Sequence, residues 1–213
     1  MRPWKPSGAI PVPLRKFGKY FDTSNWRAGD LVLTREINPG RIGRWIERAQ
    51  VKGGYAKEDA RWTHAALYLG DRLTVCEATF SLWPPSHGIV QTALWDYCGD
   101  SAIRIRRPLA IDSAEAAWLL AIMALTQMRK DYDFGYVLRL ASIAFSGKGF
   151  WTAGTRSVLS PSALICSTLY ADAFARQTGR TLGEQNNGIC TPAFLSQSDK
   201  FEDKNIGWLP ILA

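Results

Sequence analysis

Three features of this 213-residue sequence predict an α+β fold in which an antiparallel sheet packs against helices. Trp62 to Ala78 holds two runs rich in apolar and β-branched residues on either side of Gly70-Asp71, which reads as a β-hairpin. Ile103 and Ile105 alternate with Arg104 and Arg106, the period of a half-buried strand. Residues 114–128 and 163–177 carry apolar side chains at helical spacing.

Residues 1–27 are rich in proline, basic and aromatic residues and show no period, so they read as an irregular arm whose aromatics pack onto the body. Residues 28–213 then form one domain, a length sufficient for a real core. Asp30 to Thr34 reads as a short buried strand. Asn38 caps a helix that starts at Pro39 and runs to about Gln50, with Ile42, Trp45, Ile46 and Ala49 as its apolar stripe. Residues 51–61 read as a polar loop.

In the hairpin, a two-residue Gly70-Asp71 turn sets Leu69 opposite Arg72 and His64 opposite Glu77, with their Cβ atoms about 5 Å apart. The imidazole then lies beside a carboxylate, the arrangement that orients a general base. Thr79 to Gly88 contains Trp83-Pro84-Pro85-Ser86-His87 and reads as a loop, which leaves His87 on an exposed segment. Ile89–Thr92 and Ala102–Arg106 read as strands, with a short helical turn at Leu94–Tyr97 between them. Asp112-Ser113-Ala114-Glu115 opens a helix to about Met128.

Asp133 is placed to cap a further apolar helix to about Phe145. The glycine-rich stretch Ser146–Trp151 lacks the Lys-Ser/Thr ending of a phosphate loop. Cys166 falls near the start of a helix that follows Ser160-Pro161 and stops at Gly179. A helix N-terminus favours the thiolate over the thiol. Residues 183–192 are polar and irregular, and the apolar C-terminus from Trp208 to Leu212 packs back onto the domain. Cys166 as nucleophile, His64 as base and Glu77 as orienting acid make a complete thiol triad.

The sequence Thr63-His64-Ala65-Ala66-Leu67-Tyr68-Leu69-Gly70 resembles the His motif of the circularly permuted papain-fold cysteine hydrolases, the permuted NlpC-type group with its lecithin–retinol acyltransferase relatives. Ile165-Cys166-Ser167-Thr168-Leu169-Tyr170-Ala171-Asp172 is similar to their Cys motif, and the His precedes the Cys as in that group. Gly29-Asp30-Leu31-Val32-Leu33 resembles the opening strand, and Tyr132-Asp133-Phe134 the aromatic element ahead of the Cys. The resemblance spans roughly residues 28 to 177. It implies a permuted papain-like fold, a thioester acyl-enzyme, and a cleft bordered by Trp45 and Tyr132, with Ser167 beside the nucleophile as a further substrate contact. The implied substrates are amide or peptide bonds, cell-wall muropeptides among them. Lipid acyl hydrolysis or transfer is the alternative within the same fold, and a non-catalytic binding or assembly module is the alternative outside it.

Composition narrows the rest. No run approaches 18 apolar residues, so no transmembrane helix is expected. The first residues lack the apolar core of a signal peptide, which suggests a cytoplasmic product, with export by a non-classical route left open. Four cysteines without Cys-x-x-Cys spacing argue against a disulfide scaffold or a structural metal, and no cofactor is expected. Residues 1–61 hold 13 Lys/Arg against 6 Asp/Glu, while the remainder balances. That excess suits contact with an anionic surface. No nucleic-acid module accompanies it, so nucleic acid is not an expected partner.

Overall fold

Six strands join into one antiparallel sheet that orders the molecule. The computed structural model describes residues 18–82, 85–128, 130–132, 135, 142, 145–146, 163–182 and 190–210. The strands are β1 (Lys19–Asp22), β2 (Leu31–Glu36), β3 (His64–Tyr68), β4 (Thr74–Leu82), β5 (Pro85–Ala93), β6 (Ser101–Pro108), β7 (Asp131–Tyr132), β8 (Ala163–Leu164), β9 (Phe201–Lys204) and β10 (Gly207–Pro210). The helices are α1 (Arg41–Lys52), α2 (Lys57–Ala60), α3 (Ala114–Leu125), α4 (Cys166–Thr178) and α5 (Pro192–Gln197), with a 3-10 turn at Leu94–Tyr97. The main sheet runs β5-β4-β3-β2-β6-β9, and β1–β10 and β7–β8 form two small ribbons.

The sheet is covered on both faces, which explains why its central strands read as nearly continuous apolar runs. Leu31, Leu33, Ala65, Leu67, Cys76 and Ala78 face the helix layer, where Leu120 and Ala121 of α3 and Leu169, Tyr170 and Phe174 of α4 meet them. Val32, Ala66, Tyr68, Val75 and Ile105 face the other way, onto Tyr20, Phe21, Trp26, Leu94 and Cys98. Gly29 sits at φ +79°, and a Cβ there would lie 2.8 Å from Leu120 Cδ2, so only glycine lets β2 begin this close to α3.

Several predicted elements change. The β3–β4 loop has four residues, 70–73, because Tyr68 pairs with Val75 and Leu67 with Cys76. Asp71 closes it by accepting from the Leu73 and Thr74 amides at 2.9 and 2.8 Å, a side-chain turn that competes with the tighter one. Glu77 therefore opposes Ala66 rather than His64. The slip is two residues, so both side chains stay on one face. The stretch expected as a loop at 79–88 is instead the far half of a long β4–β5 hairpin, with Phe80 opposite His87 and Leu82 opposite Pro85. Pro85 is tolerated because it opens an edge strand.

Helix α1 starts two residues late, with Gly40 as its cap residue. No side chain caps it; the Gly40 amide donates to Glu36 Oε2 at 2.8 Å instead. Residues 51–61 are not a loop throughout, since α1 runs to Lys52 and α2 follows, burying Tyr55 and Ala60. Ser113 caps α3 as expected, accepting from the Ala116 amide at 3.1 Å. Gly179 ends α4 in the left-handed region at φ +67°. The caps predicted at Asp133 and the glycine-rich stretch 147–151 lie outside the described residues.

The arm is not wholly irregular: β1 pairs with β10, and Tyr20, Phe21 and Trp26 are buried. The Trp208 and Phe21 ring centres lie 4.6 Å apart, so the described part of the C-terminal apolar stretch, Trp208 to Pro210, returns to the body. The arginines of β6 are not its solvent face. Arg106 is buried and donates to the Leu195 and Ser196 carbonyls at 2.7 and 2.8 Å, closing the end of α5. Arg104 holds Asp203 through two bonds of 2.7 Å. Asp30, 1% exposed, accepts from Arg107 at 2.9 and 2.8 Å and from the Arg27 amide at 2.8 Å.

No helix among the described residues is long and apolar enough to cross a membrane.

Candidate active site

His64 is the first residue of β3, so its side chain stands at the end of the sheet rather than within it. It shares a face with Ala66 and Tyr68, and Glu77 shares that face with Val75. The two lie diagonally across the ladder, within reach of long side chains. His64 Nε2 contacts Glu77 Oε2 at 2.5 Å. The ring keeps about a quarter of its surface exposed (25%), whereas Glu77 is 7% exposed.

Cys166 arrives from the opposite layer. It is the first residue of α4, and the apolar side of that helix packs on the other face of the sheet. Only its N-terminal end reaches round to His64. The start is fixed without help from the thiol: the Thr168 hydroxyl accepts from the Ile165 amide at 2.9 Å, and the Leu169 amide bonds the Ile165 carbonyl at 2.9 Å. Tyr170 donates to the Gly29 carbonyl at 2.7 Å and ties α4 to the start of β2. The Cys166 thiol and the His64 ring lie close enough for each to shift the other's titration. Glu77 takes the Nε2 position of the ring.

Charge accounts for the protonation states. Burial opposes a charged imidazole, but the Cys166 and Glu77 charges and their hydrogen bonds outweigh it and lift His64 to about 10. Burial likewise opposes the thiolate, yet His64 and the backbone amides of Ala65 and Ser167 bring the Cys166 thiol below its usual range. Glu77 falls to about 2, because His64, Thr92 and Tyr97 together overcome its burial. The other thiols go the other way: burial raises Cys76 to about 12, Cys98 to about 11, and Cys190 well above the usual range.

Three contributors are not evident from the sequence. Tyr97, at the end of the 3-10 turn, donates to Glu77 Oε2 at 2.5 Å, so it and His64 share one carboxylate oxygen. Thr92 is a further partner of the same carboxylate. It lies one same-face step along β5 from Val90, the residue opposite Glu77. Both follow from the long β4–β5 register, which is invisible when 79–88 is taken as a loop. Gln50 is the third. Its Nε2 donates to the Ala60 and Trp62 carbonyls at 2.8 and 2.9 Å, and its Oε1 accepts from the Ala193 amide at 2.9 Å. This buried amide fixes the approach to His64 against α1 and α5. A lone glutamine in a helix carries no sequence signal for that.

The expected substrate contacts fare differently. Ser167 is fully buried and donates its hydroxyl to the Cys190 carbonyl at 2.8 Å, so the side chain faces protein and only its amide serves Cys166. Trp45 packs against the core, with its ring 6.4 Å from Phe145. The backbone of Tyr132 pairs with Leu164, two residues ahead of Cys166. The side chains of Tyr132 and His87 lie outside what the structure describes. Among the described residues, no group of three or more His, Cys, Asp or Glu side chains is placed to hold a metal ion.

No protein-family model matches this chain, and no curated protein matches it. Among solved structures it is similar to the crystal structure of the metalloprotein yiiX from Escherichia coli O157:H7. The two are 14% identical, the match covers 86% of this chain and 98% of that one, and the TM-score is 0.56. At that identity the likeness is one of fold.

Proposed function

We propose that this protein is a cysteine hydrolase of the permuted papain-like type, cleaving amide or peptide bonds through a thioester. One observation carries the reading: a helix-terminal thiol beside an imidazole that is itself bonded to a buried carboxylate. The order of His before Cys and the antiparallel sheet packed on helices support it.

In this reading the Cys166 thiolate attacks the carbonyl carbon and a C–S bond forms. The Cys166 amide, first in its helix, stabilises the oxyanion. The His64 imidazolium gives its proton to the departing amine as the C–N bond breaks. Water then attacks the thioester, His64 takes its proton, and the acid leaves with Cys166 restored. Glu77 holds the ring in orientation and stays ionised throughout.

The test is a comparison of wild type with Cys166→Ala on purified muropeptides and on phospholipid vesicles, with products read by mass spectrometry. Cleaved peptide that disappears in the variant supports the proposal. Released fatty acid or an acylated enzyme moves the activity to lipid acyl chemistry. Absence of any Cys166-dependent product on either substrate counts against catalysis.

Alkylation gives an independent check. Iodoacetamide reacts with the thiolate, so Cys166 is labelled ahead of Cys76, Cys98 and Cys190, whose thiols burial raises. Peptide mapping at neutral pH reads the order, and equal rates would contradict the ion pair. The thiolate–imidazolium form exists between the lowered Cys166 titration and that of His64 at about 10. Turnover therefore falls as pH drops below the first and as it rises through the second.

Glu77→Gln keeps a hydrogen-bond partner for His64 but removes its charge. It lowers kcat by about 10- to 100-fold with the fold preserved. Tyr97→Phe takes one donor from the carboxylate and lowers kcat about threefold to tenfold with KM unchanged. It also moves the Glu77 titration upward, visible in a carbonyl-detected NMR titration. An unmoved Glu77 would make Tyr97 structural only.

A further inference from the structure

At the far edge of the sheet, where β9 meets the segment between β1 and β2, lies a cavity of about 450 Å³. That is within the size range of small-molecule sites. Asp30, which anchors its arginine just ahead of β2, and Thr34, opposite His64 within β2, are four residues apart, about 13 Å of extended chain. The cavity is thus separate from Cys166 and its partners.

Its wall carries Arg27, Arg107 and Lys204 against one carboxylate, Asp203. That carboxylate is already held by two Arg104 bonds of 2.7 Å. Arg107 is locked in place by Asp30 and by the Asn25 carbonyl at 2.7 Å, which sets the cavity floor. Arg27 is exposed, and none of the described residues bonds its guanidinium. Lys204 pairs with Glu202, a surface carboxylate 46% exposed. Trp26 also lines the wall, is 6% exposed, and its Nε1–H has no partner among the described residues. Convergent cations beside the neutral side chains of Ser24 and Asn25 describe a site suited to an acceptor-rich guest.

We propose that this cavity binds a small oxyanion-bearing ligand, of the phosphate or phosphomonoester class. Arg27 and Lys204 supply charge, and Arg107, whose Nε and one amino group are held by Asp30 and Asn25, supplies its remaining amino group. Arg27 belongs to the basic first third of the chain, so the site gives part of that charge excess a specific use.

The full chain is titrated with inorganic phosphate at ionic strength held constant with sodium chloride, following backbone amide and indole NMR signals. Saturable shifts confined to residues 24–27 and 203–205 and to the Trp26 indole are expected. Arg27→Gln weakens binding at least about fivefold. Glu202→Gln frees Lys204 and tightens binding, a gain that damage to the fold does not produce. Both positions are exposed, and signal dispersion elsewhere shows that the fold is kept. Absence of saturation, or affinity unchanged in both variants, overturns the proposal. Neither variant alters turnover at Cys166, so this test and that of the hydrolase reading fail independently.

Discussion

If the proposed hydrolase reading holds, Cys166→Ala removes turnover by at least about a thousandfold while the protein stays folded. The thiol makes no contact that the helix start depends on, because Thr168 and Ile165 close that turn themselves. Alanine fits the same small, buried space. The variant also has a signature apart from activity. The Cys166 charge is the larger of the two carboxylate-like influences that raise His64 to about 10, after burial is set against them. Without it, His64 titrates distinctly lower, and an imidazole-resolved NMR titration reads the change. Turnover that persists, or a His64 titration that does not move, would detach the cysteine from the site.

Asp30→Ala is the most destabilising single change expected, by about 3–5 kcal/mol. The carboxylate is 1% exposed and answers both the Arg107 guanidinium and the Arg27 amide. Removing it leaves a cation 12% exposed without its partner. Domains of this kind are stable by only about 5–15 kcal/mol, so the loss is a large share of the total. A urea melt reads it as a lower midpoint with the slope unchanged. A shift under about 1 kcal/mol would mean that Arg107 finds water or another acceptor.

The same charges shape stability against pH. His64 is raised from 6.5 to about 10, so its contribution is complete below 6.5 and is lost as pH rises through about 10. Glu77 is lowered from 4.5 to about 2, so its contribution is present above 4.5 and is lost as pH falls through about 2. The site is therefore most supportive of the fold in the range where the proposed chemistry runs.

The helix start at Cys166, its stop at Gly179 and the pairing of His64 with Glu77 on one face were legible because each depends on local pattern. The hairpin illustrates why parity is more robust than register. Asp71 drew the loop out to four residues, yet a shift of two restored the faces. What stayed hidden was non-local. Tyr97 meets Glu77 only through the length of the β4–β5 ladder, which the prolines disguised. Arg104 and Arg106 looked like a wet face because α5 and β9, which cover them, come some 90 residues later. Gln50 and Ser167 have polar side chains whose partners are backbone groups, and backbone groups leave no trace in a sequence.

Those late partners set an order of events during synthesis. The strand that neighbours β2 keeps a raw edge until residues 201–204 emerge, and Ser167 has no acceptor for its hydroxyl until Cys190 is in place. The amide of Ala193 reaches back to Gln50, which steadies the approach to His64. A chain made only as far as α4 thus holds Cys166, His64 and Glu77 but no finished frame around them. In this architecture the frame around Cys166, His64 and Glu77 is closed by segments that follow all three in the chain.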